Sequence, residues 1–257
     1  MFDIPEFARQ RKGNLGDPVY YFERLPSTNP FAESLAKSGA PEGTIVLANE
    51  QTGGKGRQGR LWFSPPDANL YFSLIVRPTT SRLHYLPFLM ALAIVRFLKA
   101  LSFHPDLKWP NDVMVNGKKI SGILIQTSLE QNQLQFAVIG CGVNVNSVEL
   151  PPDLSKSATS IAIEKGHIVA REVLLASLLF EFETMYGRID NMEWNEFCVE
   201  LEKHSSYLRG SLVQMQQEGT TVEGTTGGLD PYGGLILDTS EGERIFYAGD
   251  VQSCRKK

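Results

Sequence analysis

Residues 82 to 103, RLHYLPFLMALAIVRFLKALSF, are apolar on nearly every face of a helix. Such a helix is stable only when the rest of the chain buries it. At 257 residues the chain is long enough for one large domain plus a small one, with a core that needs no covalent staples. The most apolar part, LPFLMALAIVRFL, is too short to cross a bilayer and is interrupted by Arg96. The N-terminal MFDIPEFARQRKG has no apolar signal core. Cys141, Cys198 and Cys254 are odd in number and widely spaced, which fits a reduced compartment. The expectation is a cytoplasmic protein with no membrane segment. A formal net charge of -4 argues against a general polyanion-binding surface, so any phosphate site must be local.

Strand composition marks VYYFERL (19 to 25), TIVLANE (44 to 50) and NLYFSLIVRP (69 to 78). Between the first two, STNPFAESLAKSG predicts a helix of about nine residues, with Asn29 as cap, Pro30 in the first turn and Gly39 as terminator. Asn116-Gly117 links VMV to KKISGILIQ as a hairpin, and QNQ (131 to 133) turns that strand into LQFAVIGCGVNVN. Two helices are expected at roughly 170 to 188 and 192 to 204. From about residue 209, short strand-like pieces alternate with Gly-rich turns, the pattern of a small barrel of about five strands. The expected class is α+β: a mixed β-sheet with flanking helices over 1 to 208, and a β module over 209 to 257.

The chemistry centres on QTGGKGRQGR (51 to 60), with four glycines and the cations Lys55, Arg57 and Arg60. Gly54 to Gly59 spells G-x-G-x-x-G, yet the dinucleotide fold requires that turn to open a helix. Here Pro65 and Pro66 oppose one, and no Asp or Glu occurs between Asp67 and Asp106. A P-loop is also excluded, since no G-K-[ST] is present. Two readings stay open: a loop whose N-H groups and cations hold a phosphate or carboxylate, or a solvated hairpin tip. In DLKWPNDVMVNGKKISGILIQ (106 to 126), Lys108 stands at a strand end before Trp109 and Pro110, with Asn111 and Asp112 able to lock the turn by side-chain to backbone bonds. Lys108 is either a cation aimed at one place or an ordinary surface lysine.

Together STN (27 to 29), QTGGKGRQGRLWFSP (51 to 65), NLYFS (69 to 73), KWPNDVMVNGKKISGIL (108 to 124), VIGCGVNVN (138 to 146) and the terminal YAGDVQSCR closely resemble the biotin protein ligases, in the family's order and at its spacing. The resemblance implies a catalytic domain related to the class II aminoacyl-tRNA synthetases, followed by a small SH3-like β-barrel. It implies ATP-dependent formation of biotinyl-5'-AMP with Mg2+, then transfer to a lysine of a biotin carboxyl carrier protein or carboxylase domain.

By similarity Ser27, Thr28 and Gln51 match positions that hydrogen-bond biotin's ureido head, and Gly54, Lys55 and Arg57 match the loop that closes over the ligand. Gly122, Leu124 and Gly142 would line the biotin pocket. Lys55, Arg57, Arg60, Trp62, Lys108, Asn111 and Asn144 would meet the nucleotide, with Lys108 and Arg57 as electrostatic catalysts; no protein metal ligand is assigned. The family's loop commonly reads G-R-G-R-x-G-R, so Lys55 replaces an arginine and lacks its bidentate fork. Gln58 stands where some members carry arginine. Some bacterial relatives carry an N-terminal DNA-binding domain; 26 residues before Ser27 are too few for one, so no DNA partner is expected. An exposed edge of the sheet would suit acceptor docking and homodimerisation. The rivals are a lipoate or octanoate ligase or transferase of related fold and a non-catalytic nucleotide-binding adapter.

Overall fold

The computed structural model describes residues 1–131 and 133–254. β1 (Val19–Leu25) and β2 (Ile45–Gln51) pair in parallel, and β3 (Leu70–Val76) runs antiparallel to β2. β4 (Pro105–Lys108), β5 (Asp112–Val115), β6 (Lys118–Glu130) and β7 (Gln133–Val143) complete a mixed seven-stranded sheet in the order β1-β2-β3-β7-β6-β5-β4. β2 and β3 read as continuous apolar runs because both faces are covered: Ile45 and Leu47 enter one apolar cluster and Val46 the other. Asn116 and Gly117 have φ of 51° and 74°, as a tight two-residue hairpin demands. Asn132, in the turn expected between β6 and β7, lies outside the described residues.

Helix α1 (Ile4–Gln10) is absent from the sequence expectation, although its start is regular: Asp3 accepts from the Glu6 N-H at 2.9 Å and Pro5 sits in the first turn. α2 (Thr28–Lys37) covers one face of the sheet, with Ala32 and Ala36 packed on Val46, Ile75, Phe136 and Val138. Its N-cap is Ser27, not Asn29, which is turned inward and 5% exposed. α3 (Leu86–Ala100) crosses the opposite face. With the 3-10 turn before it, Thr80–Ala100 is 21 residues long and apolar enough to cross a bilayer, longer than the segment taken from the sequence; 67% of its most apolar stretch is buried inside the protein. A short α4 (Ile161–Lys165), also unexpected, precedes α5 (Arg171–Tyr186), which packs on α3 and α1, and α6 (Trp194–Glu202).

The C-terminal segment forms a second, antiparallel sheet from β8 (Arg209–Gln217), β9 (Thr220–Leu229), β10 (Leu235–Thr239), β11 (Gly242–Phe246) and β12 (Asp250–Ser253), ordered β11-β10-β9-β8-β12. Among the described residues no pairing joins β11 to β12, so the barrel expected from the pattern is not closed by hydrogen bonds. Its apolar face merges with the main core: Val213, Met215, Leu235, Leu237 and Val251 belong to the same buried cluster as Phe88 and Trp109. The two indoles nearest the junction are tied across it, Trp109 Nε1 to Gly233 O at 3.1 Å and Trp194 Nε1 to Asp230 O at 2.8 Å.

Candidate active site

A cavity of about 630 Å³ opens between the seven-stranded sheet, the glycine loop and β12. That volume suits a ligand of cofactor size. Its floor is the pairing of Gly122 on β6 with Gly142 on β7. Neither position tolerates a side chain, since an added Cβ would lie 2.9 Å and 2.4 Å from the Trp62 ring. Trp62 lies flat on this bare patch with its Nε1 buried and unpartnered among the described residues. Leu124 lines the cavity next along β6, opposite Gly140. Cys141, between the two glycines, is buried, and burial pushes its thiol up to about 12. It is unreactive packing.

At the closed end, the start of α2 meets the end of β2. Gln51 Oε1 accepts from the Thr28 N-H at 2.9 Å, and Gln51 Nε2 donates to Ser64 Oγ at 3.1 Å. Ser27, 8% exposed, makes no side-chain cap bond and lines the cavity with Thr28 and Gln51. Gly54 stands apart: it is buried behind this wall, and a Cβ there would lie 2.8 Å from Ser64 Oγ and 3.0 Å from Gln51 Nε2.

The glycine loop folds back on itself through a bridge between Lys55 and Leu61, with a 3-10 turn at Arg57–Gly59. Lys55 is exposed on the rim. Arg57 is half-buried and donates to Asn111 Oδ1 at 3.2 Å and to Gly249 O at 3.3 Å, while burial draws its pKa below the usual guanidinium value. Arg60 pairs with Asp250 and donates to Gln58 Oε1 at 3.1 Å. The loop is thus tied to the C-terminal sheet through Arg57 and Arg60, with Gln58 serving as an acceptor.

The turn after β4 presents Lys108 and Asn111 to the same cavity. Asn111 and Asp112 do not lock this turn internally. Asn111 reaches across to β6, with Nδ2 donating to Ile123 O at 2.6 Å, and Asp112 pairs with Lys119 Nζ at 2.6 Å. Lys108 Nζ stands 5.8 Å from the centre of the Tyr207 ring; burial draws its pKa down, against the pull of Asp112 and Asp250.

Lys119 is the cation that sequence reading missed. Its Nζ lies 5.2 Å from the centre of the Trp62 ring, and its chain runs over Gly122. The register explains why. Val113 pairs with Ser121 but Met114 pairs with Lys119, so one extra residue bulges on β6 and shifts Lys119 to the face that Gly122 and Leu124 share.

The remaining wall is Asn144 and the segment after β7. Asn144, 6% exposed, donates to Thr159 O at 3.0 Å, and Lys119 N-H donates to Ser157 O at 2.8 Å. Leu150, Leu154 and Lys156 on that segment also line the cavity, and only their place after the strand, in a Pro-rich loop, could have flagged them.

Residues 21–144 match the Biotin/lipoate A/B protein ligase family, and 210–252 match the Biotin protein ligase C terminal domain. The chain is 34% identical over 244 residues to the bifunctional ligase/repressor BirA of Bacillus subtilis, an alignment spanning 93% of this chain and 74% of that protein. It is 32% identical over 238 residues to the biotin--[acetyl-CoA-carboxylase] ligase of Paracoccus denitrificans, spanning 89% and 97%. Among solved structures, the biotin protein ligase of Aquifex aeolicus in complex with biotin and ATP superimposes with a TM-score of 0.78 at 29% identity, covering 93% of this chain and all of that one. With these relatives aligned along nearly its whole length, the chain belongs to the biotin protein ligase family.

Proposed function

We propose that this enzyme activates biotin with ATP as biotinyl-5'-AMP and transfers it to a lysine of a biotin carboxyl carrier protein or carboxylase domain. The observation that carries the reading is the polarity of one cavity: a hydrogen-bonding end at Thr28 and Gln51, and a mouth where Arg57, Lys108 and Lys119 converge. The first end suits a ureido ring. The second suits a reaction in which a carboxylate oxygen attacks the α-phosphorus and pyrophosphate leaves, because cations already in place stabilise the gathering negative charge without reorganising. Lys119, over the floor, and Lys108, at the strand end, act as electrostatic catalysts, and Arg57 brings the loop onto the phosphate. Trp62, Asn111 and Asn144 face the nucleotide, with Lys55 and Arg60 on the rim; Ser27, Gly122, Leu124 and Gly142 shape the biotin side. Gly54 contributes from behind, by leaving room for the Gln51–Ser64 contact.

Mg2+ would arrive on the nucleotide. Asp112 and Asp250 are the carboxylates that line the cavity, and the described residues hold no group of three or more metal-binding side chains. That sparse set fits an ion held largely by phosphates and water, with the Mg2+ charge adding to that of the lysines. Residues 1–208 form the catalytic unit and 209–257 the C-terminal unit. A free edge of the large sheet is the docking place for the carrier domain or for a second copy, and the compartment is the cytoplasm, with no DNA or membrane partner.

The test is exchange of labelled pyrophosphate into ATP. Exchange should require biotin and be followed by labelling of a carrier domain. Exchange driven by lipoate or octanoate instead would assign the related acyl ligase, and no exchange would leave the nucleotide-binding adapter.

A further inference from the structure

A second cavity, of about 260 Å³, lies between the start of α3, the turn after β4 and the C-terminal sheet. Arg57, Asn111, Ile123 and Leu124 line both cavities, so the two share a wall. The activation step has no use for the smaller one. Phe88, Pro110 and Ile125 make it largely apolar, and no carboxylate lines it among the described residues. At its rim Tyr232 and Tyr247 are 71% and 59% exposed, yet both are held in place. Asp230, itself buried, accepts from the Tyr247 hydroxyl, from the Tyr232 N-H at 2.8 Å and from the Gly234 N-H at 2.7 Å. The Tyr247 ring lies against Gly234, where an added Cβ would come within 2.8 Å of it. Exposed rings fixed in this way mark a surface built to be covered.

The chemistry of the second half-reaction says by what. A lysine reaches the enzyme as an ammonium group, and only its neutral amine attacks a carbonyl. In the larger cavity Asp112 and Asp250 would hold that charge. In the smaller one the ammonium loses water and gains no anion, so its proton leaves. The groups that face it there point the same way. Arg57 is a cation, and His84 is kept neutral, its pKa drawn down by burial and by Arg82 against the pull of Asp230. The other titratable groups are the phenols of Tyr232 and Tyr247, neither an anion at neutral pH, while the Asp230 carboxylate behind them is taken up by its three donors. Lysine's methylene stem suits the apolar walls, and the tyrosine faces suit its cationic head on the way in.

We propose that the smaller cavity is the entry of the acceptor lysine: the carrier's lysine-bearing turn rests on Tyr232 and Tyr247, the stem runs between Pro110 and Ile125, and the amine crosses the shared wall as a neutral nucleophile. This rests on the biotin reading. The wall is closed by the bond from Arg57 to Asn111 Oδ1 at 3.2 Å, and a phosphate that draws Arg57 away opens it, so admission follows activation. The lysine nitrogen then bonds to the acyl carbon as the bond from that carbon to the phosphate oxygen breaks, and AMP leaves with the electron pair. One proton passes to water on entry, and a second leaves the nitrogen when the tetrahedral adduct collapses.

The experiment uses the whole chain and three readouts: biotin-dependent pyrophosphate exchange, interception of the adenylate by hydroxylamine, which has no stem, and transfer to a carrier domain. The double variant Tyr232→Ala, Tyr247→Ala should lose about 10-fold or more in kcat/KM for the carrier, with exchange and interception unchanged. Tyr247→Glu sets a carboxylate beside the amine, which favours the ammonium. Its transfer rate should therefore rise at a pH about one unit higher than that of Tyr247→Gln. Unchanged transfer in the double variant, a parallel fall in all three readouts, or superimposable pH profiles for the Glu and Gln variants would overturn the proposal. If the unaltered enzyme shows no biotin-dependent exchange, the biotin reading fails, and the proposal with it.

Discussion

At the closed end of the cavity, Thr28, Asn29 and Ser73 are buried and bonded to one another; at the mouth, Lys55 and Arg60 are exposed, and Arg60 and Lys119 are tied to Asp250 and Asp112. The inner groups find their partners in the fold itself, so their geometry exists before any ligand arrives. Arg60 and Lys119 are held by carboxylates that a phosphate can replace. Recognition is built as fixed structure, and charge as something lent to whichever anion arrives.

The largest break in this contrast should come from Lys119→Ala. Removing one preorganised cation at the mouth should slow biotin-dependent pyrophosphate exchange by about 100-fold or more while biotin affinity changes little. Loss of biotin binding with normal turnover at saturation would move Lys119 to the other end. Thr28→Val should do the converse, weakening biotin by roughly 10-fold or more through a lost buried hydrogen bond, with saturated exchange nearly intact.

Acid–base behaviour sharpens the comparison. Burial draws the Lys108 pKa down, so the cation is lost at lower pH than for an exposed lysine, and exchange should fall as pH rises through that lowered value. Lys108→Arg keeps its charge, so it should lose this alkaline limb even if its maximum is lower; an unchanged profile would assign the limb elsewhere. The smallest effect belongs to Asp250→Asn. A largely exposed ion pair contributes at most about 1 kcal/mol. Trypsin should cut after Arg57 and Arg60 only a few-fold faster in that variant, and biotin with ATP should suppress the cutting in both proteins.

Local patterns were legible where local forces decide. β1 begins and ends where its composition places it, and the Asn116–Gly117 hairpin follows from two residues that accept positive φ. The glycine floor under Trp62 was legible as a family motif, though not as a surface without side chains. Asn29 was misplaced because its partners, Ser73 and Leu124, lie 44 and 95 residues away, beyond any capping rule. Lys119 was missed for a different reason. In NGKKIS two adjacent lysines look alike, and strict alternation would put Lys119 on the face opposite Gly122. Only the bulge on β6 reverses that.

The apolar cluster that runs unbroken from the helices under the large sheet into β8, β10 and β12 has a thermodynamic consequence. Neither sheet can shed its neighbour without exposing Phe88, Trp109, Leu235 and Val251 to water. Heating should therefore melt the molecule as one cooperative body, with a single calorimetric transition whose van't Hoff and calorimetric enthalpies agree.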